Sequence, residues 1–240
     1  MRTLIIIPAY NEEAALPAVL QELADRAEEH DVLVVDDGSS DHTTDVAKRA
    51  GATVMTLPFN LGVGGALRAG FRYAVACGYD RSIQFDADGQ HDPAEIKKLL
   101  HALDEGADMA IGNRFGGDVD EYDVGAARGG AMAALRVVVR LLTGRRFSDT
   151  TSGFRAFNRP VFEMFARELS VEYMGDTVEA LLLALAHGFT VVEVPTRMRG
   201  RAGGAPSQRN LRLVYRYLRT MLVLACTASR RRARSRRSAR

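Results

Sequence analysis

Ser82-Ile83-Gln84-Phe85-Asp86-Ala87-Asp88-Gly89-Gln90-His91-Asp92-Pro93 is the stretch on which the reading of this chain turns. Ser82–Phe85 predicts a short buried strand. Asp92 predicts a helix cap, with Pro93 at the first helical position. Between them stand two aspartates at spacing i, i+2, which are poor packing residues. In an extended segment such side chains leave on the same side, so both carboxylates can face one point in a crevice. Unpaired, they would repel each other and carry raised pKa values. A divalent cation removes that cost, and hard oxygen ligands suit Mg²⁺ or Mn²⁺. An ion held by few protein ligands keeps positions open for substrate phosphates. The stretch therefore points to chemistry on a nucleotide diphosphate.

Strands and helices alternate on either side of it. Thr3–Ile7 is an apolar run ending at Pro8, which suits a buried strand, and Asn11 is the expected cap of the helix after it. In that helix Leu16, Val19, Leu20 and Leu23 fall at i, i+3, i+4 and i+7. Val32–Val35 is a second buried run and ends in Asp36-Asp37-Gly38-Ser39-Ser40-Asp41, with Asp41 capping a helix through Ala50. Ala52–Leu57 predicts a third strand, Ala66–Cys77 a helix, and Asp108–Ile111 a fifth strand after the Ile96, Leu99, Leu100, Leu103 stripe. This order implies parallel βαβ units. Ligands of such sheets bind beyond the carboxyl ends of the strands, where Pro8–Glu13, Asp36–Asp41 and Asp86–His91 all fall.

The second half is looser. An acidic, Gly-rich loop runs through Gly125, and Ala126–Leu142 predicts a helix bearing Arg128, Arg136 and Arg140. Asp149–Phe157 reads as a polar turn entering a short strand. Thr177–His187 reads as a helix with Gly188 as its cap, and Val191–Val194 as the last strand. Leu211–Ala228 predicts a final helix.

The net charge of +2 hides an asymmetry. From Arg197 onward there are 14 arginines and no acidic residue, which leaves 18 Lys/Arg against 30 Asp/Glu before it. A basic end on an acidic body suggests an anionic partner for that end. Cys77 and Cys226 fit no metal spacing, and a reduced, cytoplasmic setting is the expectation. Met1 opens directly into a strand pattern, so no signal peptide is expected. No apolar run reaches the roughly 20 residues of a spanning helix.

Six segments carry a family resemblance: Pro8-Ala9-Tyr10-Asn11-Glu12-Glu13, Val35–Asp41, Asn60-Leu61-Gly62, Asp86–His91, Gly112-Asn113-Arg114-Phe115 and Asp149–Arg155. In this order and at these distances, residues 3–207 resemble family 2 glycosyltransferases of the GT-A fold. Within these, the chain is most similar to the polyprenyl-phosphate sugar transferases, typified by dolichyl-phosphate mannose synthase. The resemblance implies a GT-A nucleotide-diphospho-sugar transferase fold, α/β, with a mostly parallel central sheet flanked by helices. It divides the chain into a catalytic domain (1–207), a basic amphipathic helix (208–229) and a disordered Arg-rich tail (230–240).

The resemblance also distributes roles. Asp86, Ala87 and Asp88 meet the donor, with Asp86 and Asp88 as metal ligands and Gln90 completing or bordering that site. Pro8, Tyr10, Glu12, Asp36 and Asp37 match the family's pocket for base and ribose. Alternatively Asp37 caps the following turn and Glu12 is a solvated first-turn residue. Gly62-Val63-Gly64-Gly65 lacks the Lys-Ser/Thr of a P-loop and reads as a tight turn before a helix, with Arg68 a candidate to face the diphosphate. Asp149 lies near the acceptor in the family and is either a base or a group that positions Arg155 or the acceptor. Arg114, Arg128 and the arginines of the basic Gly-rich loop 197–204 (Arg197, Arg199 and, as the family's equivalent, Arg201) are the anion-binding candidates, and that loop can close over the site. His91 adjoins the metal motif and can line the site.

The resemblance thus implies a metal-dependent inverting transfer from a GDP- or UDP-sugar to an acceptor, with polyprenyl phosphate the leading choice. A hydroxyl of a glycan, wall polymer or natural product is the alternative acceptor. A nucleotidyltransferase would begin with a Gly-rich activating loop that Pro8–Glu13 is not, and a non-catalytic scaffold would not need the Asp86/Asp88 pair. Leu211–Leu222, interleaved with arginines, fits a peripheral helix on anionic lipid, on a partner or on its own domain. No nucleic-acid module accompanies the arginines.

Overall fold

The structure, a computed structural model, describes residues 1–114, 126–169 and 175–199. Its centre is a seven-stranded sheet of order β3-β2-β1-β4-β6-β5-β7. The strands are β1 (Thr3–Ala9), β2 (Asp31–Asp36), β3 (Thr53–Thr56), β4 (Arg81–Gln84), β5 (Met109–Asn113), β6 (Arg155–Asn158) and β7 (Val191–Pro195). All neighbours pair in parallel except β6, which runs antiparallel to both β4 and β5. The order reverses between β1 and β4, and a crevice opens beyond the strand ends at such a reversal.

The helices are α1 (Leu16–Arg26), α2 (Thr43–Arg49), α3 (Val63–Ala76), α4 (Ile96–Asp104), α5 (Ala126–Thr143), α6 (Arg159–Glu168) and α7 (Gly175–Ala186). Alternation along the buried strands splits the core in two. Ile5, Ile7, Val34 and Ile83 pack against the apolar stripes of α1 and α4, including Leu16, Leu20, Leu99 and Leu103. Leu4, Ile6, Leu33 and Val35 face the other way, toward Leu67 and Phe71 of α3 and the cluster that α6 and α7 complete. There Phe71, Phe157 and Phe165 meet with ring centroids 5.4–5.7 Å apart. Each fully buried side chain of this size contributes about 1.5–3 kcal/mol. A Cβ on Gly70 would stand 2.5 Å from Ile6 Cγ2, so glycine lets α3 approach β1 this closely.

Three sequence expectations change. β1 continues through Pro8. The Ile6 carbonyl accepts from Phe85 N at 3.0 Å, so Pro8, two residues on, faces the same edge beyond the end of β4, where no partner needs its missing N–H. Asn11 does not cap α1, which begins at Leu16. Its φ is +55° and its Oδ1 accepts from Ser40 N at 2.8 Å, clamping the loops after β1 and β2 together. Asp88 does not continue a strand, because β4 ends at Gln84; Gly89 adopts φ +75° and Asp88 Oδ1 accepts from Gln90 N at 3.1 Å. The strand alternation argued for Asp86 and Asp88 is thus replaced by a turn. Helix α6 was not read from the sequence. The segments 208–229 and 230–240, and the acidic loop before α5, lie outside the described residues.

Candidate active site

The loops after β1, β2 and β4 meet beyond the sheet, and the segments around Asn60, Arg114 and Asp149 close on them. At the β1 exit the Tyr10 ring is 46% exposed. Glu12 N donates to Thr43 Oγ1 at 2.9 Å and its carbonyl accepts from Leu16 N, so Glu12 seats the start of α1 against α2.

The two aspartates at the β2 exit are buried and divide their work. Asp36 Oδ1 accepts from Ser39 N at 2.9 Å, and Thr44 Oγ1 donates to its other oxygen. Asp37 accepts from Leu61 N at 2.8 Å and from Gly62 N at 2.7 Å. Burial and the neighbouring Asp36 raise the Asp37 carboxyl, and those two N–H groups pull it back down, leaving it above its ordinary value. Asp37 is therefore the anchor of the Asn60-Leu61-Gly62 loop rather than a spare acceptor. Gly62, at φ +83°, turns that loop into α3. A Cβ on Gly38 would lie 2.8 Å from the Phe59 carbonyl carbon, so the two loops press together only with glycine there.

Asp86 sits at the centre. His91 Nε2 lies 3.0 Å from Asp86 Oδ2, and the His91 ring stacks on Phe154 at 4.9 Å. A Cβ on Gly153 would stand 2.6 Å from the same Oδ2. The Asp86 side chain remains 37% exposed. Enclosure works against its charge, but His91, Arg114 and Arg155 outweigh that, and the carboxyl is held below its ordinary value. An ionised, partly open carboxylate two residues before Asp88 is oxygen chemistry suited to a hard cation. Among the described residues no group of three or more His, Cys, Asp or Glu is arranged to hold a metal ion, so an ion here would take its remaining ligands from substrate oxygens and water.

Arg114 and Asp149 form a buried ion pair. Arg114 Nε and Nη2 donate to the two Asp149 oxygens at 2.6 and 2.8 Å, and Nη2 also reaches Thr151 Oγ1 at 2.7 Å. The Arg114 side chain is 6% exposed and that of Asp149 0%. Burial raises the Asp149 carboxyl, but hydrogen bonds and charge from Arg114 bring it below its ordinary value. This corrects two expectations. Asp149 fixes Arg114, not Arg155, and a carboxylate so engaged is a poor base. Arg114 in turn commits its guanidinium to Asp149. Arg155 is fully buried and donates to the carbonyls of Ser152, Thr177 and Thr150, folding the Asp149–Gly153 turn around itself.

Arg68 is a further correction. Its guanidinium donates to the carbonyls of Ala166 and Arg167 at the end of α6, joining α3 to α6 instead of facing the crevice. The Arg128 side chain and all of Arg201 lie outside the described residues.

One side chain was missed in the sequence. Glu193 of β7 accepts from Ser148 N and Asp149 N at 2.7–2.9 Å, fixing the turn that presents Asp149; a glutamate inside an otherwise apolar strand was the signal. Arg199, expected with its loop as an anion-binding group, instead pairs with Glu22 at 2.7 Å and Asp92 at 3.1 Å, while its backbone N donates to Gln90 O. The segment after β7 is thereby laid along the Gln90-His91 edge, where Met198 bridges His91.

The sequence profile of glycosyl transferase family 2 matches residues 4–165. This chain belongs to that family.

Its relatives agree. The polyprenol monophosphomannose synthase of Mycolicibacterium smegmatis is 37% identical over 214 residues, covering 85% of this chain and 79% of that protein. The undecaprenyl-phosphate mannosyltransferase of Micrococcus luteus is 36% identical over 203 residues, covering 81% and 82%. Among solved structures, glucosyl-3-phosphoglycerate synthase from Mycobacterium tuberculosis, crystallised with Mn²⁺ and UDP-glucose, superposes with a TM-score of 0.70 at 23% identity, covering 94% of this chain and 79% of that one. That likeness fixes the fold as GT-A. The chain is a glycosyltransferase with polyprenyl-phosphate sugar transferases among its homologues.

Proposed function

We propose that this glycosyltransferase moves a sugar from a GDP- or UDP-sugar to a polyprenyl phosphate, with inversion at the anomeric carbon and dependence on Mg²⁺ or Mn²⁺. The observation that carries the donor half is Asp86: an ionised carboxylate at the sheet's order reversal, braced by His91 and kept open by Gly153. The acceptor half is supported by the relatives, named for polyprenol, undecaprenyl phosphate and dolichol phosphate.

Asp86 and Asp88, with Gln90 alongside, would hold the cation. When bound, it supplies charge neutralisation for the departing nucleoside diphosphate. The exposed Tyr10 ring would lie against the base, and Asp36 would accept from the base or ribose through lone pairs its loop contacts leave over. His91 keeps the Asp86 carboxylate in one orientation. The acceptor phosphate oxygen is already anionic, so attack on the anomeric carbon needs no strong base, which agrees with the pairing of Asp149 to Arg114. That pair, fixed by Glu193, shapes the acceptor side, with Arg128 and Arg201 the proposed phosphate contacts. The enzyme would work as a peripheral protein on the cytoplasmic face of a membrane. No helix among the described residues is long and apolar enough to cross one.

The test is a radiolabelled transfer assay on the full chain with GDP-mannose, UDP-glucose and UDP-N-acetylglucosamine. Polyprenyl phosphate is set against soluble sugars as acceptor, in Mn²⁺ and in excess chelator. Transfer to the lipid phosphate that stops in chelator is the expected result. Full transfer in chelator removes the metal, and transfer only to soluble hydroxyls removes the acceptor.

A further inference from the structure

Helix α5 has two faces. Leu135 and Val139, one turn apart, are buried in the core that α7 also lines. Val137 and Leu141 stand two positions further along, about 200° around a helix of 3.6 residues per turn, and therefore on the opposite side. They are 56% and 72% exposed. A globular surface rarely leaves neighbouring large apolar groups open without a partner.

The charges around them are of one sign. Arg136 and Arg140 are exposed on the same helix, and Arg145 and Arg146 follow in the turn after it. From Ala126 to Ser148 there is no acidic residue. Among the described residues none of these four arginines makes an ion pair. Apolar side chains interleaved with arginines on one helix face are the pattern of an interfacial helix, in which the apolar groups enter the acyl boundary and the guanidinium groups meet anionic headgroups.

We propose that this face of α5, carrying Val137 and Leu141 beside Arg136 and Arg140 and followed by Arg145, docks on the surface of an anionic lipid bilayer. Charge complementarity selects the lipid over the other covers. The chain from Arg197 onward carries 14 arginines and no acid, so folding it over this face would set like charges together. A second copy meeting it through its own α5 would do the same. A nucleic acid would satisfy the arginines and leave Val137 and Leu141 in water. The patch also ends four residues before Asp149, whose pair with Arg114 borders the crevice, so a bilayer here would lie beside the acceptor side. The proposal deepens the lipid-phosphate reading but does not rest on it, since binding is read without donor or acceptor.

The test uses the full chain with Cys77→Ser and Cys226→Ser. An environment-sensitive dye is placed at Leu141→Cys or, on α4 across the sheet, at Lys97→Cys. With phosphatidylglycerol/phosphatidylcholine vesicles the dye at position 141 should shift to the blue and become protected from an aqueous quencher. It should not do so with pure phosphatidylcholine, and position 97 should not respond to either. Neutralising Arg140 and Arg145 to Gln should weaken vesicle binding about fivefold for each arginine, and added salt should weaken it further. The proposal is overturned if position 141 stays in water on protein that sediments with vesicles, because the basic end is then the only attachment. A shift without vesicles also overturns it, independent of concentration for the chain's own end and growing with concentration for a second copy. An equal shift with duplex DNA overturns it in favour of nucleic acid. Transfer to a short-chain, water-soluble polyprenyl phosphate is measured in parallel with Leu141→Gln. If that variant loses vesicle binding but keeps turnover, both readings stand. If no acceptor is used while the dye still shifts, only the functional reading falls.

Discussion

Gly153 backs onto the Asp86 carboxylate so closely that a Cβ there would lie 2.6 Å from Oδ2 and 2.8 Å from Oδ1. What such a Cβ would meet is the end of a side chain, which can turn away. Gly153→Ala should therefore unfold little, yet move the Asp86 carboxylate that His91 holds in place. We expect metal-dependent donor affinity to fall at least about tenfold, roughly 1.4 kcal/mol, with thermal stability nearly unchanged. Titration calorimetry of GDP- and UDP-sugars with Mn²⁺ reads this. Unaltered affinity would show that the position of Asp86 does not matter.

Asp88→Asn tests the second carboxylate. The amide keeps an oxygen for Gln90 N, so the turn at Gly89 should persist. The lost charge should abolish the thermal shift that donor plus Mn²⁺ gives the parent, while the shift from donor alone, in chelator, should be equal in the two proteins. A full metal-dependent shift in the variant would remove Asp88 from the cation site.

Asp149→Asn leaves the Arg114 guanidinium buried beside a neutral group. Breaking one side of a buried pair costs about 3–5 kcal/mol, whereas replacing both by leucine should recover much of it. The sign with pH follows from the depressed carboxyl. The pair's stabilisation is complete above the unfolded value of about 3.9 and is lost as pH falls through the lower folded value. Urea unfolding should show a constant gap between parent and variant near neutrality that narrows only below about pH 4. A gap that closes already near pH 6 would contradict the pairing.

Arg199→Ala removes the contacts to Glu22 and Asp92. Both are partly exposed, so global stability should drop by no more than about 1 kcal/mol. Hydrogen exchange should nonetheless rise at Met198 and Arg199, whose backbone lies along Gln90-His91. Unchanged exchange there would mean that the backbone bridge alone holds the segment.

Much of this was legible in the chain. Strand–helix alternation, buried runs such as Val32–Val35 and the order of the six motifs were enough for the sheet and the family. The direction of β6 was not legible, because Arg155–Asn158 has no pattern of its own to distinguish parallel from antiparallel pairing. Site residues were read by type, and type does not reveal who answers whom. Arg114 and Asp149 were each given to a substrate because nothing in their spacing shows that they face each other. Arg68 looked free for the same reason, since the carbonyls it meets belong to α6, a helix the sequence reading did not find. Asp37 was separable from Asp36 only once Leu61 and Gly62 were seen to point their N–H groups at it.

The reversed strand has a consequence for how the enzyme is made. β6 aligns Arg155 with Gln84, so the step that sets Gly153 against Asp86 joins chain positions some 70 residues apart. The βαβ units of the first hundred residues are local and can organise as they leave the ribosome, because nearby contacts close faster than distant ones. The carboxylate between them acquires its far wall only when Asn158 has emerged. A chain stopped short of that point would carry the nucleotide-facing loops and no finished catalytic centre, so nascent fragments are born inactive.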